Sequence, residues 1–160
     1  MRHGEAVPDG EFDEARHLTS RGRADAKKCA LHLSEALLRE TPRPRIALAV
    51  SSHLVRAVQT AELVMSALGP LGSIEITDWV EADPSLAPDG SPSAALSRLE
   101  RRFERLGEGY LLVVCHEPII RGIAANLVKR TSFAPFVTAG CACFQDGVER
   151  FFVGPEGRVR

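Results

Sequence analysis

Two short runs, "IALAVSS" at 46–52 and "YLLVVC" at 110–115, most constrain what this chain can fold into. Ile46 to Val50 and Tyr110 to Cys115 lack the polar alternation of a half-exposed strand, so both read as strands covered on two faces. Helical periodicity surrounds them. Thr19 or Ser20 can cap a helix reaching about Arg39, with Ala26, Ala30, Leu33 and Leu37 as its apolar stripe. A second helix carries Leu54, Val58, Ala61, Met65 and Leu68. Ser91 and Pro92 start a third, with Leu96, Leu99, Phe103 and Leu106 inward and Arg98, Arg101, Arg102 and Arg105 on a solvated face. "EPIIRGIAANLVKR" forms a fourth, with Pro118 in its first turn.

"SIEITDWV" alternates as a further strand, and "FVTAGCACFQDGVERFFVGP" reads as two strands around the turn dipeptide Asp146-Gly147. Strands alternating with helices define an α/β class: a mostly parallel sheet between helix layers, with an antiparallel hairpin late in the chain. The Pro/Gly/Ser-rich pieces, "TPRPR", "LGPLG" and "SLAPDGSP", are loop-sized, so the 160 residues make one domain spanning 1–160.

A net charge of -1 gives no general attraction to nucleic acid or to an acidic membrane surface. There is no bilayer-spanning run and no signal-peptide pattern, so the expected compartment is the cytoplasm. Cys29, Cys115, Cys141 and Cys143 lack paired metal-ligand spacing and read as small buried hydrophobes.

In α/β sheets, ligands bind beyond the carboxyl ends of the strands. Arg56 stands in the first helical turn after "IALAV", and His116 stands where "YLLVV" stops. If "MRHGE" is a third such junction, Arg2, His3, Arg56 and His116 converge on one crevice. Two guanidiniums and two imidazoles suit a tetrahedral dianion, because arginine forks match phosphate oxygens. His17, His32 and His53 read as ordinary surface residues.

The segments "RHGE", "LTSRG", "SSHLVRAVQTAE" and "VVCHEP" resemble, in this order, the signatures of the histidine phosphatase superfamily. The short chain, "RHLTSRG" and "SLAPDG" are most similar to its small branch, the SixA-type phosphohistidine phosphatases. The resemblance implies a three-layer α/β/α fold of the phosphoglycerate mutase type and a metal-independent, cofactor-free phosphatase. By it His3 is the nucleophile, while Arg2, Arg56 and His116 bind the phosphoryl group. Arg16 matches an arginine that meets phosphate from a loop. His3 has to be neutral, which neighbouring arginines favour, and its other ring nitrogen needs an acceptor such as a backbone carbonyl near Gly4. Gly4 permits the close turn, Glu5 either orients an active-site arginine or faces solvent, and His116 is expected to be cationic. The implied partner is a phosphorylated protein in signal transduction or a small phosphorylated molecule. Inorganic phosphate is the product and a monomer is the expected state.

Two departures stand out. Ser85 occupies the place where an acidic residue is expected as general acid, with Glu81, Asp83 and Asp89 nearby but displaced. A weak or absent acid disfavours phosphomonoesters and matters less for a phosphoramidate, whose imidazole leaves on its own protonated ring. Only Met1 precedes Arg2, where the family has a central apolar strand. The first strand is expected to be missing from these residues and to be supplied by residues upstream of Met1; without it His3 would be poorly held. The other readings are a small-molecule phosphomonoester phosphatase and a non-catalytic phosphoryl-binding module.

Overall fold

The computed structural model describes every residue except 9–12, 70–73, 78 and 106. The expected inward position of Leu106, most of "LGPLG" and part of "SIEITDWV" therefore lie outside the described residues.

Strand β1 (Arg45–Ser51) is the centre of a parallel sheet. Strand β4 (Tyr110–Val114) lines one edge of it, while β2 (Glu75–Ile76) and β3 (Val80–Ala82) share the other. The segment "SIEITDWV" is thus two short strands rather than one. Trp79 between them is 61 % exposed, and pairing resumes at Val80 and continues to Ala82. An antiparallel sheet follows, of β5 (Cys141–Gln145), β6 (Val148–Gly154) and the short β7 (Gly157–Arg158). Asp146 and Gly147 both take positive φ (53° and 74°), the conformation that a two-residue hairpin turn demands.

Two helix layers sandwich the sheet. Helix α1 (Ser20–Glu40) is capped by Thr19, whose hydroxyl accepts from the Gly22 N–H, and all four of its expected stripe residues are buried. Helix α2 (Val55–Leu68) packs beside it; together they cover Ile46, Ala49, Leu112 and Val114. The buried face of α2 is broader than its sequence stripe: Arg56, Ala57, Thr60 and Val64 join it, while Val58 is only half-buried. Helices α3 (Pro92–Phe103) and α4 (Ile119–Leu127) pack together on the opposite face, against Leu48, Val50 and Cys115. No helix among the described residues is long and apolar enough to cross a membrane.

The arginine face of α3 departs from expectation. Arg98 and Arg102 reach Asp83 at 3.5 and 3.3 Å, and Arg102 also meets Glu81 at 3.4 Å. Asp83 is 1 % exposed, and a buried carboxylate needs opposite charge and donors close by. Two of the arginines read as solvated are therefore committed to an ion-pair network.

The first three residues hold the two sheets together. The Met1 ammonium donates to the Val113 carbonyl, Cys115 N–H to Met1 O, and His3 N–H to Cys115 O. On the other side Arg2 N–H donates to Gly140 O, and Ala139 N–H to His3 O. Arg2 forms a parallel bridge with Cys115. The expectation that His3 would be poorly held is therefore corrected. Three residues are too few for a strand of usual length, yet their backbone is pinned from both flanks between β4 and the approach to β5.

Candidate active site

The strand ends bring together the residues that the topology predicts. His3 and His116 face each other, ring centroids 4.8 Å apart, His3 from the N-terminal segment and His116 from the end of β4. The His3 Nδ1 lies 2.6 Å from the Gly4 carbonyl. A carbonyl can only accept, so Nδ1 carries the proton and Nε2 keeps its lone pair. Burial pushes the His3 pKa down to about 4, opposed by the Gly4 carbonyl and assisted by Arg56, Arg2 and Arg16. The ring is neutral at physiological pH. Burial contributes more to this than the arginines, which sequence reasoning had credited.

His116 departs from expectation. Burial, then His3 and Arg56, push it down to about 3, so with protein groups alone around it the ring is neutral rather than cationic. Neither ring nitrogen has a hydrogen-bond partner among the described residues. A phosphoryl dianion against the ring would supply an acceptor and favour the charged form.

The arginines reach the crevice from different elements. Arg2 Nη1 donates to the Phe136 carbonyl at 2.9 Å, while its buried Nε has no partner among the described residues. Phe136 is held in turn by its N–H, which donates to Glu117 Oε1 at 2.8 Å. Arg56 is nearly buried; its Nη1 donates to the Asp13 carbonyl and its Nη2 to Asp13 Oδ2 at 3.1 Å. Arg16 comes from the segment before α1, with Nε on the Val7 carbonyl and Nη1 on Asp13 Oδ1 at 2.9 Å.

Gly4 and Gly22 explain why the first two motifs need glycine. A Cβ on Gly4 would lie 2.6 Å from Gly22 O, and one on Gly22 would lie 2.0 Å from Glu5 O. Only two bare backbones let the turn after His3 press onto the first turn of α1. The Gly4 N–H donates to Thr60 Oγ1, and that hydroxyl donates to the Arg56 carbonyl. Thr60 thereby fixes the turn after His3 to the helix that carries Arg56. Glu5 takes no site arginine and is exposed, as the second alternative had it: it accepts from Thr19 Oγ1 at 2.9 Å and lies 4.0 Å from Arg21.

Sequence reasoning missed Asp13, Thr60, Glu117 and the Phe136 carbonyl. Thr60 was findable, since it stands four residues after Arg56 on one helical face. Glu117 adjoins His116, but nothing in "CHEP" discloses its hold on a backbone nineteen residues away. Two of the three general-acid candidates are otherwise engaged. Asp83 accepts from Ser85 N–H and Oγ. Burial pushes its pKa up, but those bonds, Arg98 and Arg102 prevail and hold it below the usual carboxylate range. Glu81 pairs with Arg102, and Asp89 is exposed.

The family model of the histidine phosphatase superfamily (branch 1) matches residues 1–85, which include Arg2, His3, Arg16 and Arg56. The chain belongs to that superfamily. His116 lies outside the matched range and joins the site through the fold. A curated relative, the serine/threonine-protein phosphatase Pgam5, mitochondrial, of Drosophila virilis, is 32% identical over 141 residues, 76% of this chain and 47% of that protein. The namesake of Drosophila mojavensis is 38% identical over 66 residues, 41% of this chain and 21% of that protein. The chain thus spans less than half the length of these relatives. Among solved structures, the protein histidine phosphatase SixA complexed with tungstate superposes with a TM-score of 0.78 at 24% identity, over 97% of this chain and 94% of that one. The phosphoglycerate mutase of Bacillus anthracis str. Sterne gives 0.61 at 15% identity, over 92% and 87%. The histidine phosphatase fold is common to all three.

The depressed histidines make stability depend on pH. An unfolded histidine takes a proton near 6.5, whereas folded His3 and His116 do so only near 4 and 3. Stability should therefore fall as pH drops from about 6.5 towards 4, by up to about 1.4 kcal/mol per pH unit for each ring. Urea denaturation at pH 6.5 and pH 5 should show this loss, and His3→Asn should make it shallower. An identical pH slope in both proteins would show that His3 does not contribute.

Proposed function

We propose that the protein is a metal-independent phosphatase that removes the phosphoryl group from a protein phosphohistidine by way of His3. The observation that carries this reading is the neutral His3, its Nδ1–H tied to Gly4 so that Nε2 keeps its lone pair, close to His116, Arg2 and Arg56. His3 Nε2 attacks phosphorus as the substrate P–N bond breaks, and the leaving imidazole departs on its protonated ring. Water then attacks the phosphoryl group on His3, the second P–N bond breaks, and inorganic phosphate leaves. The guanidiniums stabilise charge on the equatorial oxygens.

A phosphoramidate is favoured over an ester because Glu81 and Asp83 are engaged with arginines and serve no leaving alkoxide. The arginines supply the positive charge a metal would bring. Among the described residues no three His, Cys, Asp or Glu side chains gather as ligands. The name of the Drosophila relatives favours a second reading, a protein phosphoserine or phosphothreonine phosphatase.

Turnover of a phosphohistidine protein, compared with phosphoserine and phosphothreonine proteins, decides between the two. Faster release from phosphohistidine, unaffected by EDTA, is expected. A preference for the esters would favour the second reading. Loss with EDTA that added metal restores would overturn the metal-independent mechanism.

A further inference from the structure

Asp13 stands where a substrate anion would be expected to stand. Its Oδ2 lies 3.1 Å from Arg56 Nη2 and its Oδ1 lies 2.9 Å from Arg16 Nη1, so one carboxylate bridges two guanidiniums. Its backbone carbonyl accepts from Arg56 Nη1 at 2.9 Å. The Asp13 side chain is nevertheless 54 % exposed, against 5 % for Arg56. Nothing in a packed core requires it to stay, and the three-residue 3₁₀ turn Asp13–Ala15 that carries it buries no residue. A carboxylate offers two of the three oxygens that a phosphoryl group presents, and one negative charge where the dianion brings two.

We propose that Asp13 is a tethered competitor for the phosphoryl group, occupying Arg56 and Arg16 until a dianion displaces it. This inference rests on the phosphoryl-binding reading of the site. While it is paired, Asp13 keeps Arg56 in its forked orientation and shields its charge. It also excludes weaker anions, because a tethered carboxylate acts at a high effective concentration. A protein carboxylate or other monoanion brings no more charge than Asp13 already supplies. A phosphoryl dianion does, and gains Arg2 and His116 as further partners. Apparent affinity is reduced by the fraction of molecules in which the arginines are free of Asp13. Removing the carboxylate removes that penalty.

The test is calorimetric titration with inorganic phosphate at fixed pH and ionic strength, on the full chain, Asp13→Asn, Asp13→Ala and Glu14→Gln. Glu14 is exposed on the same turn, so Glu14→Gln matches the charge change of Asp13→Asn while leaving the Asp13 bridge in place. Phosphate is expected to bind Asp13→Ala about tenfold more tightly or better, with Asp13→Asn between and Glu14→Gln unchanged. KM for the phosphorylated substrate should fall in parallel. Equal or weaker binding by a folded Asp13→Ala, where the full chain itself binds phosphate, would overturn the competitor and leave the site reading standing. An equal gain in Glu14→Gln would overturn it too, in favour of a general field effect. Absence of phosphate binding in all four proteins would overturn the site reading and this inference together.

Discussion

Replacement of His3 by alanine is expected to lower turnover of a phosphohistidine protein by at least ~10⁴-fold, while inorganic phosphate still binds within about tenfold of the unaltered protein. The split follows from the geometry. In the proposed mechanism His3 contributes the attacking Nε2, whereas charge complementarity comes from Arg2 and Arg56, held through Phe136, Asp13 and Thr60 rather than through the imidazole. Quenched turnover should yield a phosphorylated histidine on the unaltered chain and none on His3→Ala. The backbone of residue 3 is pinned by Cys115 O and the Ala139 N–H, so the variant should keep its fold. Comparable turnover in the two proteins, above contaminant level, would exclude His3 as nucleophile.

Replacing Arg56 with lysine should cost about 10²–10³-fold in kcat/KM, with kcat reduced as well as KM raised. Arg56 is nearly buried, and its two Nη atoms make a fork that one ammonium cannot reproduce. The charge survives the change and the planar geometry does not. The loss therefore separates bidentate stabilisation of developing charge from simple attraction. A purely electrostatic role would leave kcat intact and raise KM only slightly, and steady-state kinetics distinguishes the outcomes. Thr60 remains to tie α2 to Gly4, so the position of His3 should be unchanged.

The sequence was most legible where physical periodicity or a chemical motif is local. Doubly apolar runs identified β1 and β4, the spacing of Ala26, Ala30, Leu33 and Leu37 identified α1, and Asp146-Gly147 marked the hairpin. Each depends on neighbours within a turn or a strand. The break in "SIEITDWV" was not legible, because alternation says nothing about whether β1 pairs with every residue. The role of Arg98 and Arg102 escaped for a similar reason: a charged helical face looks solvated until a buried Asp83 appears opposite it.

Residue types alone pointed to the groups that could handle a phosphoryl dianion: two histidines and two arginines at strand ends, with a glycine at 4. Tertiary structure decided how they behave. It set the protonation of His3 and His116, since burial outweighs local chemistry in both rings. It turned Glu5 towards Thr19 and brought Asp13 onto Arg56, forty-three residues away. It also secured the first three residues between two sheets. The physical reason is the same in each case: desolvation, ion pairing and backbone pairing depend on groups distant in sequence, and only the folded chain brings them together.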